Sequence, residues 1–191
     1  MFCLNRPDPE AIHEFLAEQK QQGFSYAHIG ASRTTAPSGY VVDHNRVQLG
    51  EGRAAFERAK NGIKQWKMFD ITWLKLCWPS TRIEEGATVA IVISHLGFWS
   101  LNAARIVYTV EDEGTLKRYG FAYGTLPDHA EMGEERFTVE FHPHDESVWY
   151  DLYAFSRPQP LARLAYPFTR ALQKKFASDS KLAMQKEVGQ A

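Results

Sequence analysis

Residues 117–141 read KRYGFAYGTLPDHAEMGEERFTVEF, and this stretch sets the fold class. Aromatic and branched residues alternate with glycine and polar residues over 117–125 and again over 135–141. A period of two of this kind predicts two β-strands. Pro127 and Asp128 favour a turn between them, so we expect the two strands to lie in one antiparallel sheet.

The same alternation extends on both sides of these strands. Residues 88–93, 105–111 and 147–155 also have the pattern of strands, with Gly, Pro, Asp and Asn in the segments between them. Five strands in tandem predict an antiparallel meander. A shorter extended piece is expected at 40–49. The aromatic run at 66–78 is also expected to be extended, because it is rich in residues that favour strands.

Helical patterns flank the strands. Asp8 and Pro9 begin a first helix that is expected to run to about Gln22, and apolar spacing predicts a second helix over 54–63. After Pro160 a long final helix is predicted, because apolar residues recur at helical spacing. These residues are Leu161, Leu164, Ala165, Phe168, Leu172, Phe176 and Met184. The order of elements predicts an α+β helix-grip fold, in which a curved antiparallel sheet wraps around the long C-terminal helix and short helices lie near the N-terminus.

Length and composition point to one domain spanning residues 1–191, with 187–191 as a disordered tail. The net charge of -1 argues against a nucleic-acid partner. Cys3 and Cys77 are the only cysteines, and neither has a metal-like neighbour, so we expect no disulfide, metal or cofactor. We expect a cytoplasmic protein, because no stretch has the length of a signal peptide or a membrane span.

Residues 119–137 (YGFAYGTLPDHAEMGEERF) resemble the signature of the domain of unknown function 1990 family, a group of uncharacterised (UPF-type) proteins. Further blocks resemble that family in the same order, so the resemblance covers nearly the whole chain. These blocks are GASR at 30–33, GY at 39–40, LGEG at 49–52, WKMF at 66–69 and FSRP at 155–158. The resemblance implies a fold related to the START lipid-transfer and Bet v 1-like allergen group, with a cavity suited to an apolar or amphipathic ligand. It implies no activity.

Aromatic residues spread over the last strands are the candidates for lining such a cavity. The expected ligand-binding residues are Phe121, Tyr123, Phe137, Trp149, Tyr150, Tyr153, Phe155, Phe168 and Leu172. Tyr123, Tyr150 or Tyr153 would donate hydrogen bonds to the polar end of a ligand. The alternative is that these side chains pack into a solid core, and the sequence does not decide between the two.

Polar residues around the turn at 127–130 form a second candidate site. His129, Glu131 and Glu135 have the side chains needed for acid–base work, although a hydrogen-bonded structural turn would carry the same residues. Strand alternation points Glu134 away from the face of Glu135. Arg157 would either clamp a ligand carboxylate or form a structural ion pair. We assign no catalytic residue.

These observations favour a non-catalytic module that binds a small apolar or amphipathic molecule between the sheet and the last helix. One alternative is an enzyme that uses His129 with Glu131 or Glu135 at the pocket mouth. Another is a membrane-surface or protein-interaction module, suggested by Trp73, Trp78 and the basic residues of the last helix. Membrane contact and oligomeric state stay open.

Overall fold

The computed structural model describes residues 1–95, 97–159 and 166–189. In these ranges the helices are α1 (Pro9–Lys20), α2 (Gly52–Lys64) and α3 (Tyr166–Gly189). The strands are β1 (Phe2–Cys3), β2 (Val41–Glu51), β3 (Leu74–Cys77), β4 (Thr88–Ser94), β5 (Trp99–Glu113), β6 (Lys117–Thr125), β7 (Glu131–Phe141) and β8 (Ser147–Pro158).

All the described strands form one antiparallel sheet. Its order is β2-β8-β7-β6-β5-β4-β3, and β1 adds to β5. The predicted meander from β4 to β8 is confirmed, because each of these strands pairs with the next along the chain. The extended piece at 40–49 becomes β2, which returns to pair with β8 at the edge.

Alternation gives the sheet two faces with different coverings. On the inner face, α2 and α3 pack against residues such as Phe137, Val139 and Tyr150. On the outer face, α1 packs Ile12, Phe15 and Leu16 against β4 and β5. The predicted α+β helix-grip fold is confirmed, because the sheet curves around the C-terminal helix. The two N-terminal helices lie on opposite faces of the sheet.

Helix α1 is held at both ends by polar contacts. Asp8 Oδ1 accepts a hydrogen bond from the backbone N–H of Ala11 at 2.9 Å, as the sequence predicts for a capping residue. At the other end, the guanidinium of Arg105 donates to the carbonyls of Gln19 and Lys20 at 3.0 and 3.1 Å. Carbonyls in the last turn have no partner within a helix, so Arg105 ties the end of α1 to β5.

The prediction that 66–78 is extended is wrong for most of that run. Residues Lys67–Phe69 form a turn of 3₁₀-helix, and only Leu74–Cys77 form a strand. Trp66 has a φ of 57°, which turns the chain out of α2, and its ring is buried against Phe121. The aromatic residues here fill the core from a loop, where strand propensity does not act.

The second half of α3 packs tightly beside α2. Met184 and Val188 are buried there, and Met184 lies against Gly62, where a Cβ would come within 3.2 Å of the methionine methyl carbon. The predicted start of the last helix, with Leu161, Leu164 and Ala165, lies outside the described residues. Among the described residues, no helix is long and apolar enough to cross a membrane.

Candidate functional site

A cavity of about 860 Å³ lies on the inner face of the sheet, beneath the first half of α3. Helix α2 and the second half of α3 fill one end of this face, while residues 168–177 of α3 span the other end. Most of the walls are apolar. Apolar side chains that line the cavity include Phe69, Trp73, Leu74, Ile91, Ile93, Phe98, Leu152, Phe168, Leu172, Phe176 and Ala177.

The helix wall continues into the packed core. Phe176 lies 5.4 Å from Phe69 and 6.3 Å from Phe137, measured between ring centroids. Phe137 is fully buried and supports these two rings from the sheet. Phe168 precedes Phe176 in α3 and is 45% exposed, so it forms part of the rim of the cavity.

The predicted ligand-binding residues divide into three groups by position. Tyr123, Phe168 and Leu172 line the cavity, whereas the Phe155 ring lies on the outer face against Tyr26 and Tyr40, because Phe155 pairs with Glu134. Phe121, Phe137 and Tyr150 face inward but are buried in the packed core beneath α2 and α3. Trp149 and Tyr153 lie on the outer face, where the side chains of Arg46 and Arg136 cover their rings. Trp149 and Tyr153 lie on this face and not in the cavity because neighbouring residues of a strand point to opposite faces.

The tyrosines that were expected to bond a ligand are engaged within the protein or lie elsewhere. Tyr123 Oη donates to Glu135 Oε2 at 2.7 Å inside the cavity. The hydroxyl of Tyr150 lies 2.8 Å from that of Ser180 in the core. Only Tyr123 of the three therefore brings a polar group to the cavity.

Glu135 is an acid held in an apolar wall. Burial raises its pKa to about 7, the hydrogen bond from Tyr123 offsets part of this shift, and the charge of Asp43 adds to it. Burial and the neighbouring carboxylate also raise the pKa of Tyr123, so the phenol stays protonated and remains the donor.

Glu131 lies two inward-facing positions before Glu135 on β7 and is only 7% exposed. Neither of its carboxylate oxygens has a hydrogen-bond partner of normal geometry among the described residues. Burial raises its pKa, although the polar groups of Ser156, Thr169 and Gln173 and the charge of Arg170 lie close enough to oppose the shift. The cavity therefore contains two acids that burial disfavours as anions.

His129 and His95 supply neutral imidazoles to the same cavity. Burial lowers the pKa of His129 to about 4, and its Nδ1 accepts the backbone N–H of Glu131 at 3.1 Å. His95 Nε2 lies 2.8 Å from Ser100 Oγ, which in turn accepts from Asn102 Nδ2 at 3.1 Å. Both histidines can offer hydrogen bonds near neutral pH without carrying charge.

Arg157 does not reach the cavity. It lies on the outer face with its guanidinium 4.8 Å from the centroid of the Tyr40 ring. A buried ion pair of the sheet forms instead between Arg136 and Asp151, at 3.0 Å. Glu131 and Glu135 form no ion pair within the described ranges.

Sequence reasoning missed the polar residues that β4 and β5 bring to the cavity. The ring of His95 lines the cavity, and its Nδ1 has no partner in the described part of the chain. Ser100 and Asn102 also line it. The signal for them is that both are polar residues at inward positions of a strand whose neighbouring residues are apolar and buried.

Solved structures that superpose on this chain differ widely from it in sequence. The structure of Ara h 8.0201 superposes with a TM-score of 0.49 and 11% identity, covering 80% of this chain and 100% of that one. Human STARD10 superposes with a TM-score of 0.47 and 10% identity, covering 96% of this chain and 82% of that one.

Relatives in sequence extend over nearly the full length of the chain. A UPF0548 protein of Dictyostelium discoideum is 36% identical over 99% of this chain and 96% of its own length. A UPF0548 protein of Deinococcus radiodurans is 37% identical over 93% of both chains. A family model described as a domain of unknown function (DUF1990) matches residues 25–183. The chain therefore belongs to the DUF1990 family.

Proposed function

We propose that this chain is a non-catalytic binding module that holds a small apolar or amphipathic molecule between the sheet and α3. The observation that carries the proposal is the cavity of about 860 Å³ beneath residues 168–177. Its volume lies within the range of about 300–1,000 Å³ that is typical of small-molecule sites.

The composition of the walls supports an apolar ligand. Rings of Phe69, Trp73 and Phe176 face an unfilled space, whereas comparable rings a few residues away are packed without exposure. Apolar surface that contacts water inside a cavity gains free energy when a ligand removes it from water, at about 25 cal/mol per Å². An apolar molecule of suitable size would therefore be stabilised here.

The polar groups support an amphipathic ligand over a pure hydrocarbon. Ser100, Asn102 and His95 come from the β4–β5 end, and Glu131 and Glu135 come from β7. Ligand sites commonly combine apolar walls with a few polar groups that fix orientation. A molecule with a polar group at one end would match this distribution.

Binding of a neutral apolar dye such as Nile red tests the proposal. We expect saturable binding of one dye per chain, and we expect Ala154→Phe to weaken it at least about fivefold, because Ala154 faces the cavity and a phenyl ring would occupy ligand space. Ala171→Phe is the matched control, since Ala171 is exposed on α3 and does not line the cavity.

Circular dichroism establishes that both variants fold, and Leu172→Trp provides a second filling variant from the opposite wall. Absence of dye binding, or equal binding by the wild-type protein and both filling variants, would overturn the proposal.

The alternative of an enzyme based on His129 has less support. With a pKa of about 4, His129 is a weak base, and no hydrogen bond joins its ring to the side chain of Glu131 or Glu135 in the described part of the chain. Glu135, with a pKa of about 7 and a phenol donor, would be the better acid–base group.

The two tryptophans that suggested a membrane-surface module make contacts within the protein. Trp73 donates its indole N–H to Asp179 at 2.7 Å, and Trp78 packs against His13 of α1 with ring centroids 4.2 Å apart. Both rings are engaged within the protein.

A further inference from the structure

Two acidic side chains of β7 face the same cavity with a glycine between them. Glu131, Gly133 and Glu135 all line the cavity, because alternate residues of a strand share a face. The Cα atoms of the two glutamates are about 13 Å apart along an extended strand. Gly133 places no side chain between them, so the wall between the two carboxylates is open to a ligand.

In the described part of the chain, neither glutamate takes part in an ion pair. The charge of Arg170 and the polar groups of Ser156, Thr169 and Gln173 offset only part of the rise that burial causes in the pKa of Glu131. Among the described residues, the one hydrogen bond to the Glu135 carboxylate comes from the neutral Tyr123 phenol. Arg170, whose charge acts on Glu131, is engaged with both carboxylate oxygens of Asp43.

The remaining groups of the cavity do not alter this balance. Besides the two glutamates, the charged or titratable lining residues in the described ranges are Cys3, Asp43, His44, His95, Tyr123, His129, Glu134 and Lys174. His44 is bonded to Asp151 on the outer face. Burial keeps His95 and His129 neutral, Lys174 is exposed on α3, and Glu134 is bonded on the outer face. The interior thus carries acid groups that a positive charge would complement.

A buried carboxylate without a counter-charge is unfavourable, and an amide or apolar residue would remove that cost. Retaining two such groups in an apolar wall therefore points to a ligand that supplies the missing charge. Aromatic rings such as Phe69, Trp73 and Phe176 also attract cations through their π-faces, whereas an anionic ligand would be repelled.

We propose that the ligand of this cavity carries a protonated amine on an apolar body, and that Glu131 and Glu135 hold the amine. This inference rests on the proposed function, because it requires that the cavity binds a ligand. It goes further by giving the ligand's charge and the residues that recognise it.

Three probes that share one skeleton test the charge directly. Titration calorimetry at about pH 8, where carboxylates ionise and alkylamines stay protonated, compares 4-phenylbutylamine, 4-phenylbutan-1-ol and 4-phenylbutanoate. We expect the amine to bind at least about tenfold more tightly than the alcohol, and the carboxylate to bind most weakly.

Substitution of the two glutamates tests whether they cause the preference for the amine probe. Glu131→Gln and Glu135→Gln keep the size of each side chain, and each is expected to reduce amine affinity about three- to tenfold while changing alcohol affinity less than twofold. Glu111→Gln is the matched control, because Glu111 is exposed on β5 and does not line the cavity. It is expected to leave the affinities for all three probes unchanged.

The possible failures of the two proposals are distinct. If the alcohol or the carboxylate binds as tightly as the amine, or if both glutamine variants retain the amine preference, the charge inference is wrong and the binding function stands. If no probe binds at millimolar concentration, the proposed function fails, and the charge inference fails with it.

Discussion

The carboxylate of Glu134 fastens the segment before β2 to the outer face of the sheet. Its oxygens accept hydrogen bonds from the Tyr26 hydroxyl at 2.7 Å, from the backbone N–H groups of Gly30 and Ser32 at 2.7 and 3.0 Å, and from the Ser32 hydroxyl. The side chain is 2% exposed, and these donors satisfy the carboxylate. The GASR block at 30–33 thus has a structural role in binding Glu134.

Glu134→Gln is expected to lower the free energy of unfolding by about 3 kcal/mol, because the amide N–H₂ would face donors that the carboxylate now satisfies. Chemical denaturation measures this change. Glu111→Gln, at an exposed position, is expected to change the free energy of unfolding by less than about 0.5 kcal/mol. An equal effect of both substitutions would contradict the assigned role of Glu134.

Glu135 is expected to make stability depend on pH. Its pKa rises from 4.5 in the unfolded chain to about 7 in the fold, so its contribution is fully present below pH 4.5 and is lost as the pH rises through 7. The difference in free energy of unfolding between the wild-type protein and Glu135→Gln should therefore fall by about 2 to 3 kcal/mol across this window. Urea denaturation at several pH values measures it, and a flat difference would show that Glu135 ionises normally.

His129 is expected to produce the opposite slope. Its pKa falls from 6.5 to about 4 on folding, so its contribution is present above pH 6.5 and is lost as the pH falls towards 4. His129→Asn keeps an acceptor in the position of Nδ1 for the backbone N–H of Glu131. The difference in free energy of unfolding between the wild-type protein and this variant should rise with pH in the same denaturation series. A difference that falls with pH, as expected for Glu135, would contradict the assignment.

At the residue scale, the sequence predicts which side chains share a face better than which of them meet. Alternation correctly separates Glu134 from Glu135, since the first is bonded on the outer face and the second lines the cavity. It does not reveal that Tyr123 on β6 donates to Glu135 on β7, because that contact depends on the register of the two strands.

At the scale of elements, β7 and β8 approach each other closely at Gly133. A Cβ at this position would lie 1.9 Å from the carbonyl oxygen of Phe155, which is backbone of the neighbouring strand and cannot rotate away. Residue 133 must therefore be glycine, because the backbones of β7 and β8 approach too closely to leave room for a side chain.

Gly133→Ala is expected to destabilise the protein by about 3 kcal/mol or more, because the strands would have to separate. Gly23→Ala serves as the control, since a Cβ there meets nothing within 4 Å. Thermal and denaturant unfolding compare the two variants. Similar stability of both would show that the sheet relaxes at Gly133 without cost.

Most elements could be predicted from periodicity, but their placement could not. The strands of the meander and the two short helices follow from local patterns, and the structure extends several of them by a few residues. That α1 covers the outer face and α2 the inner face depends on contacts distant in sequence, such as the bonds from Arg105 to the end of α1. The run at 66–78 was misassigned because aromatic residues favour buried loops as well as strands.

At the scale of the whole molecule, the central feature is the space left between sheet and α3. Sequence patterns cannot report a volume, because the same aromatic residues would occur in a solid core. Here Phe121, Phe137 and Tyr150 are packed solidly, while Phe69, Trp73 and Phe176 border the cavity. The difference arises because α2 covers only part of the inner face.

Occupation of the cavity should stabilise the whole fold. A neutral ligand such as 4-phenylbutan-1-ol, present at ten times its dissociation constant, is expected to raise the free energy of unfolding by about 1.4 kcal/mol. Differential scanning calorimetry detects the corresponding rise in melting temperature. Ala154→Phe should show a much smaller rise at the same concentration, whereas Ala171→Phe should match the wild-type protein.

The most direct test of the binding proposal is to locate a bound probe by isotope-filtered nuclear Overhauser measurements on the methyl-labelled protein with 4-phenylbutan-1-ol. We predict contacts from the probe to methyl groups of cavity residues Ile93, Leu152 and Leu172. Contacts confined to Leu16 and Val92 of the outer apolar cluster, or no contacts at millimolar probe, would contradict a binding site between the sheet and α3.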